Sequence, residues 1–497
     1  MKIYYDDRAC GAGKSYCERS IITSREGLYI WAVEQRKMMV EPFHQLRAAA
    51  ADHGRTPTIR AIFSAGEHLD PALGEAVDNV RVEVEALAST YNRGHVIIIT
   101  THEALKAADL TNFEGQGWQV IIDETISIWD QQAVQTTVSI DWLKQHYDLV
   151  QTDDEGLYKI VSLTDHKAKD FAADSMARSL TVMHQRIISD RSKVITNVAD
   201  WSEVSADEKG RWKWWSMWNP TSLEVFSRVT MLANNITASV TYETIRSEHP
   251  EIEWIDLNRP TVQTYAQRKV VVHYYAIAHE ARRSIWNSHT GRAFLRAVAA
   301  DIEKRVWPHP HIWMCNEVDD RSLRVNGEQI HGSRLTPRQS GIDKYGDQYH
   351  HATMIFTAKP SPDEEVIMKA IGVSREAIIA TREHEVLVQF ATRTSLRRAN
   401  STETVHLTVY DEVQAKMLEK YLLSTGYCDV ELQLHRLTVE GVELADWVKI
   451  EEKRGPKIKV LTDEQKAERA AKRTASNAER QRRFRERKRA MVLEAAE

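Results

Sequence analysis

Short, unbroken apolar runs alternate with stretches of helical periodicity along the first part of the chain. Ile3-Tyr4-Tyr5, Gly27 to Val33, Val96-Ile97-Ile98-Ile99 and Val120-Ile121-Ile122 read as strands, with a helix from Arg36 to about Ala51 between the second and third. A strand that is apolar at successive positions must be buried on both faces, which is how a parallel sheet covered by helices on each side reads. The polar pairs that close two of these runs, Thr100-Thr101 and Asp123-Glu124, mark the sheet edge where ligands of such folds bind.

From about residue 130 to 225 the pattern is less regular and more polar, and this stretch reads as an accessory insertion. It carries the aromatic cluster Trp212-Lys213-Trp214-Trp215-Ser216-Met217-Trp218, preceded by Arg211. If exposed, it could stack nucleic-acid bases; tryptophans are more often core residues, and core packing is the favoured expectation. Val229 to Ala233 returns to the first sheet. Lys269 to Ile277 begins a second α/β series: a helix near Arg292 to Arg305, strands at His311 to Cys315 and Thr353 to Phe356, a helix at Glu383 to Arg398, and a strand at Val405 to Val409. The expected organisation is an α/β chain with a first lobe over 1–265, a second over 266–425, and a C-terminal extension over 426–497. No internal repeat is visible.

Composition adds three points. With 42% hydrophobic and 28% charged residues the chain reads as globular, and no apolar run reaches bilayer length, so no membrane partner is expected. The four cysteines have no paired spacing and the N-terminus shows no signal-peptide pattern, which together suggest a reducing cytoplasm. The net charge of -5 is uneven: Lys466 to Ala490 holds eleven Lys/Arg against three Glu, a segment of +8 on a body of -13. A basic tail that dense suggests an anionic partner, and Arg482, Arg483 and Arg485 are candidate contacts to nucleic-acid phosphates. A solubilising tail or a nuclear-import signal has the same composition.

Gly11-Ala12-Gly13-Lys14-Ser15 sits between a strand and a helical pattern, as a phosphate-binding loop requires. Glycines let backbone N–H groups approach phosphate oxygens, and the following helix directs its positive end at them. Lys14 is expected on the β- and γ-phosphates, and the Ser15 hydroxyl on Mg²⁺. Asp123-Glu124 supplies the complement: Asp123 for Mg²⁺ and Glu124 to deprotonate the attacking water. ATP and Mg²⁺ are therefore the expected cofactors.

With these motifs, residues 1 to 425 resemble a superfamily 2 helicase, particularly the divergent kind carried by bacteriophages and mobile elements. Helicases of that superfamily commonly use the shorter G-x-G-K-[ST] loop, which accommodates Arg8 where the longer motif has glycine. Gln389-Phe390-Ala391-Thr392-Arg393-Thr394-Ser395-Leu396-Arg397 resembles the family's motif VI, Q-x-x-x-R-x-x-R. Gln389 and Arg393 match its spacing. The second arginine's place falls at Leu396, leaving the nucleotide contact to Arg397, one residue late, or to Arg398. The resemblance implies two RecA-like lobes with the nucleotide between them, and Arg393 as an arginine finger from the second lobe. A surface basic helix would show the same residues; the order of motifs along the chain favours the finger. Weaker matches are Thr100-Thr101 as a nucleic-acid backbone contact, Ala233-Asn234-Asn235 as a coupling motif with amides for hydroxyls, and Gln339 to Lys344 as motif V. Each also reads as an ordinary loop. His309-Pro310-His311 and His350-His351 lack zinc-like partners and read as structural.

The function these readings imply is ATP-dependent movement on, or unwinding of, nucleic acid, DNA more readily than RNA, with replication or recombination proteins as further partners. The rivals are another P-loop enzyme, such as a phage DNA-packaging ATPase or a nucleotide kinase, and a non-catalytic nucleic-acid-binding protein whose working part is the tail. No convincing nuclease acid cluster appears in the second half, and the intact Lys14, Ser15, Asp123 and Glu124 argue against a vestigial site.

Overall fold

A computed structural model describes residues 1–448 apart from 67–69, 136–137, 155, 190, 207–210, 338–345 and 347. Arg482, Arg483, Arg485 and the Gln339 to Lys344 segment lie outside the described residues. The first lobe contributes β1 (Lys2–Asp6), β2 (Leu28–Val33), β3 (Thr58–Ala61), β4 (Val96–Thr101) and β5 (Gln119–Asp123). The chain then passes through an insertion of β6 (Trp129–Gln135), β7 (Tyr147–Gln151), β8 (Tyr158–Ser162), β9 (Ser192–Thr196) and β10 (Arg211–Trp218). It returns as β11 (Arg228–Leu232) and β12 (Glu253–Asp256).

The first sheet is parallel, in the order β12-β1-β11-β5-β2-β4-β3. Alternate residues of one strand feed two separate cores. Leu28, Ile30 and Ala32 join one cluster, and Tyr29, Trp31 and Val33 the other. That double burial is why the apolar runs are continuous. Register aligns the strand ends: Asp6 pairs with Leu232, and Leu232 with Asp123, so three strands end in one row. The loops after β1, β5 and β11 therefore open at the same edge.

The insertion is more ordered than its polar sequence suggested. It is a five-stranded sheet, β6-β10-β9-β8-β7, antiparallel throughout. Within β10, Trp212 and Trp214 pack on one face and Trp215 and Met217 on the other. Trp215 is 0% exposed, and all four tryptophans of β10 are buried. The aromatic cluster is thus core rather than a base-stacking platform. Its second face meets Val240 together with Ile367, Met368, Ile371 and Ile378 of the second lobe, so the insertion braces both lobes.

The second lobe adds β13 (Arg268–Tyr274), β14 (His311–Cys315), a hairpin of β15 (Arg324–Val325) and β16 (Glu328–Gln329), then β17 (Ser333–Arg334), β18 (His351–Ile355), β19 (Val405–Val409) and β20 (Cys428–Leu434). Its sheet is parallel, in the order β17-β14-β18-β19-β13-β20, so it takes in residues beyond 425. The protein is α/β with two RecA-like lobes, as the motifs implied. The helix expected over Glu383 to Arg398 is displaced. It begins at Arg375, passes through a π-helical turn at Ala380–His384, and ends at Ala391. Thr394 then caps a short 3₁₀ turn, Ser395–Arg397. Leu396, at the place of the second motif arginine, is buried in the lobe's core.

One face of this sheet carries a row of imidazoles under the helix His289–Val306. His309 stacks on His351, His351 on His406, and His406 on His273, at centroid separations of 5.0, 4.8 and 5.4 Å. His273 shares hydrogen bonds with His406 (3.1 Å) and His435 (2.9 Å), and His435 lies 3.8 Å from Asp301. His311 bonds the His331 carbonyl (2.7 Å) and Thr353 (2.9 Å). Burial holds His273 down to about 2, His351 to about 3 and His311 to about 4; Arg305 and the neighbouring rings further disfavour charge on His273. Among the described residues no group of three or more His, Cys, Asp or Glu could hold a metal ion.

These rings make the fold acid-sensitive. The folded-state pKa values of His273, His351 and His311 lie below the unfolded value of about 6.5, so the unfolded chain takes up protons first as pH falls. The stability is intact above about pH 6.5 and is lost below it, by up to about 2 kcal/mol per ring at pH 5. The melting temperature, followed by circular dichroism, should drop by several degrees between pH 7 and pH 5. A flat profile would mean that His273, His351 and His311 already titrate normally when folded.

Candidate active site

The loop expected to bind phosphate, called the phosphate loop below, follows β1 directly. Gly11 and Gly13 have φ of 84° and 82°, a backbone region that side chains disfavour. A Cβ on Gly11 would also come within 2.6 Å of the Tyr265 hydroxyl. The helix Lys14–Ser24 starts immediately after Gly13. Lys14 Nζ donates to the loop carbonyls of Arg8 (2.6 Å) and Ala9 (3.2 Å), which places its ammonium inside the turn. Ala12 is buried beside it.

Ser15 Oγ donates to Asp123 Oδ1 at 2.9 Å, across the row where β1 and β5 end. Burial raises the Asp123 pKa, and Ser15, Arg19 and Lys14 oppose that rise. A hydroxyl and a carboxylate at this spacing are hard oxygen donors. Two such protein donors, completed by phosphate and water, suit Mg²⁺, which keeps most of its waters. Ser15 and Asp123 therefore fit the ion expected of them.

Glu124 turns out of the strand with φ 71°, a left-handed conformation that costs a non-glycine residue about 1–3 kcal/mol. Its N–H is anchored to the Leu232 carbonyl at 2.8 Å. The side chain faces the second lobe, where Gln389 Nε2 donates to Glu124 Oε2 at 3.2 Å. The same amide donates to Glu385 Oε1 at 3.0 Å, and Asn234 Nδ2 of the first lobe donates to Glu385 Oε2 at 2.7 Å. Burial pushes the Glu124 carboxyl up to about 8, with Glu385 and then Asp123 adding like charge and Lys14 opposing them. Burial also raises Glu385, while Asn234 and Gln389 lower it.

Other contacts close the same cleft. The Tyr421 hydroxyl of the second lobe accepts from the Cys10 N–H at 2.9 Å, and Thr381 Oγ1 accepts from the Val240 N–H at 2.8 Å. The connection between the lobes lies on the phosphate loop. Tyr265 donates to the Gly11 carbonyl (3.0 Å), and Arg259 pairs with Glu18 at 2.5 Å. Arg8 is the hub of this packing. It grips Asp6 through two nitrogens (2.8 and 2.7 Å) and also bonds the Pro260 and Ala12 carbonyls. The position where a longer loop motif has glycine is thus a staple between loop and linker.

The remaining expected residues divide. Arg393 is buried in the second lobe just past the end of the Gln389 helix, with its guanidinium 5.6 Å from the centre of the Phe390 ring. Arg397 lies in the 3₁₀ turn, half-buried, and Arg398 follows that turn. Thr100 is fully buried, which leaves its hydroxyl no surface to offer a nucleic-acid backbone. Thr101 keeps some surface but caps the helix His102–Ala107 through the Ala104 N–H at 3.2 Å. His102 of that helix, held down to about 4 by burial, bonds the Asp123 carbonyl at 3.1 Å. Glu385 was missed in the sequence, although its place four residues before Gln389 puts both on one helical face.

No protein-family model matches the chain, and comparison with curated proteins found no match. Among solved structures it is similar to one titled XPD_Helicase, at 11% identity and TM-score 0.47 over 87% of this chain and 96% of that one. It is similar to S. cerevisiae Dbp5 bound to RNA and ADP BeF3, at 8% identity and TM-score 0.37 over 87% of this chain and 85% of that one. It is also similar to RecG bound to three-way DNA junction, at 10% identity and TM-score 0.32 over 86% of this chain and 42% of that one. At these scores the likeness is loose and assigns no residue a role.

Replacing Arg8 with alanine would strand the buried Asp6 carboxylate and release the linker. Breaking a buried pair in this way costs about 3–5 kcal/mol. Urea unfolding of Arg8→Ala should show that loss. Lysine should not restore it, because it cannot make the two-nitrogen grip. Unchanged stability in Arg8→Ala would rule out the staple.

Proposed function

We propose that this chain is a nucleic-acid-stimulated ATPase of the helicase or translocase kind, with ATP bound between its two lobes. The observation that carries the reading is the convergence on one cleft of the loop Gly11 to Ser15, the Asp123-Glu124 pair and, from the opposite lobe, Gln389. Lys14 exchanges the carbonyls of Arg8 and Ala9 for phosphate oxygens. Ser15 and Asp123 would hold Mg²⁺, which would supply charge neutralisation on the phosphates when bound. Glu124 accepts the proton of the attacking water. Gln389 orients the Glu124 carboxylate from across the cleft. Arg393, one turn further on, neutralises charge on the transferring phosphoryl group, and Arg397 contacts the nucleotide.

Because the catalytic groups come from two lobes, the chemistry depends on how the lobes are set, and turnover can drive their motion. The basic tail around Arg482, Arg483 and Arg485 retains the nucleic acid without reading its sequence, and Thr101 is the remaining candidate contact at the first sheet's edge.

The test is hydrolysis of ATP with and without single-stranded DNA, duplex DNA and RNA, at two salt concentrations. One of these should stimulate hydrolysis severalfold, less so at high salt. Lys14→Ala should lose turnover while keeping nucleic-acid affinity. Equal hydrolysis under all conditions, or an active Lys14→Ala, would overturn the proposal.

A further inference from the structure

Glu385 belongs to no recognised motif, yet it sits where the two lobes touch. Its two oxygens are held from opposite sides. Oε1 accepts from Gln389 on its own helix (3.0 Å), and Oε2 accepts from Asn234 after β11 of the first lobe (2.7 Å). Gln389 uses the same amide nitrogen for Glu124 Oε2 (3.2 Å), so a single NH₂ group spans two carboxylates on different lobes. An amide nitrogen has two hydrogens, and both are committed.

This arrangement is directional. Glu385 and Gln389 lie four residues apart, so the helix holds their spacing whatever the lobes do. The bonds to Asn234 and Glu124 cross the cleft, and separating the lobes breaks both together. Asn234 is buried and is two residues beyond Leu232, which shares a register row with Asp123 and whose carbonyl anchors the Glu124 N–H. The first lobe therefore presents both crossing partners from adjacent strand ends. The π-helical turn at Ala380–His384 immediately precedes Glu385 and sets the helical phase that turns Glu385 and Gln389 toward them.

We propose that Glu385 is a positioning residue. Clamped by Asn234, it fixes the Gln389 amide, and the amide fixes the Glu124 carboxylate only when the lobes are closed. This inference rests on the reading of Glu124 as the water-activating carboxylate. Glu385 acts through Gln389, the residue it shares with Glu124. Hydrolysis is thereby tied to lobe closure by a hydrogen-bonded latch. The buried charge is tolerated because neutral amides donate to both Glu385 oxygens.

The experiment compares full-length wild type with Glu385→Gln, Glu385→Ala, Asn234→Ala and the double variant Asn234→Ala/Glu385→Ala. Steady-state ATP hydrolysis is measured with single-stranded DNA, duplex DNA and RNA in turn, with melting temperatures taken in parallel. Losing a hydrogen bond to a charged group corresponds to about a tenfold or larger fall in kcat. Glu385→Ala and Asn234→Ala should each show it, with KM for ATP within about twofold of wild type. The double variant should be no slower than the slower single one, because both remove the same clamp. Glu385→Gln keeps the side chain's shape and one acceptor, and should fall between wild type and Glu385→Ala. Multiplying losses, a rise in KM that tracks the fall in kcat, or wild-type rates in Glu385→Ala would overturn the proposal. An active wild type with any of those outcomes sinks the latch alone. A wild type that hydrolyses no ATP sinks the ATPase reading and the latch with it.

Discussion

Two carboxylates on opposite lobes share one amide, and the rest of the candidate site's geometry is arranged around that contact. Two ionised carboxylates buried this close would repel each other, and burial together with that proximity pushes the Glu124 carboxyl up to about 8. Gln389 between them and Asn234 behind them turn a repulsion into a joint. A joint made of hydrogen bonds at the limit of burial is strong only when closed, because each bond is lost if the lobes part. That is the physical condition for coupling chemistry to motion.

The sheets exist to bring those groups within reach. Parallel register sets Asp6, Leu232 and Asp123 in one row, so the phosphate loop, the acidic pair and Asn234 emerge side by side. Burial of both faces of the first sheet makes that row rigid. The second lobe is held against it from two directions. The linker lies on the phosphate loop through Tyr265, Pro260 and Arg259, and the inserted sheet packs a tryptophan-lined face against Ile367, Ile371 and Ile378. Arg8 joins the first of these supports to Asp6, so loop and linker share one anchor.

Much of this was legible in the sequence because its causes are local. Apolar runs buried on both faces announce parallel strands, the close-set glycines after β1 announce a tight loop, and a strand ending in Asp-Glu announces the acidic pair at the sheet edge. The hidden features depend on partners far along the chain. The insertion's short strands, such as Tyr158–Ser162 and Ser192–Thr196, carry little periodicity of their own and become a sheet only by pairing with their neighbours, β10 among them. The π-helical turn shifts a helix phase that a regular 3.6-residue pattern cannot show. Thr100 was read from its position at a strand end, but both faces of β4 are covered and Thr100 is fully buried. Arg8 read as a departure from a motif because its partners, Asp6 and the Pro260 carbonyl, are brought together only by the fold.

The proposed function requires that nucleotide in the cleft alter the hold on nucleic acid, and the direct measurement is affinity for a labelled single-stranded oligonucleotide without nucleotide, with a non-hydrolysable ATP analogue, and with ADP. Coupling through the cleft predicts dissociation constants that differ between these states by about 5-fold or more. Identical affinities in all three states would contradict it, because a cleft that does not sense its nucleotide cannot drive movement.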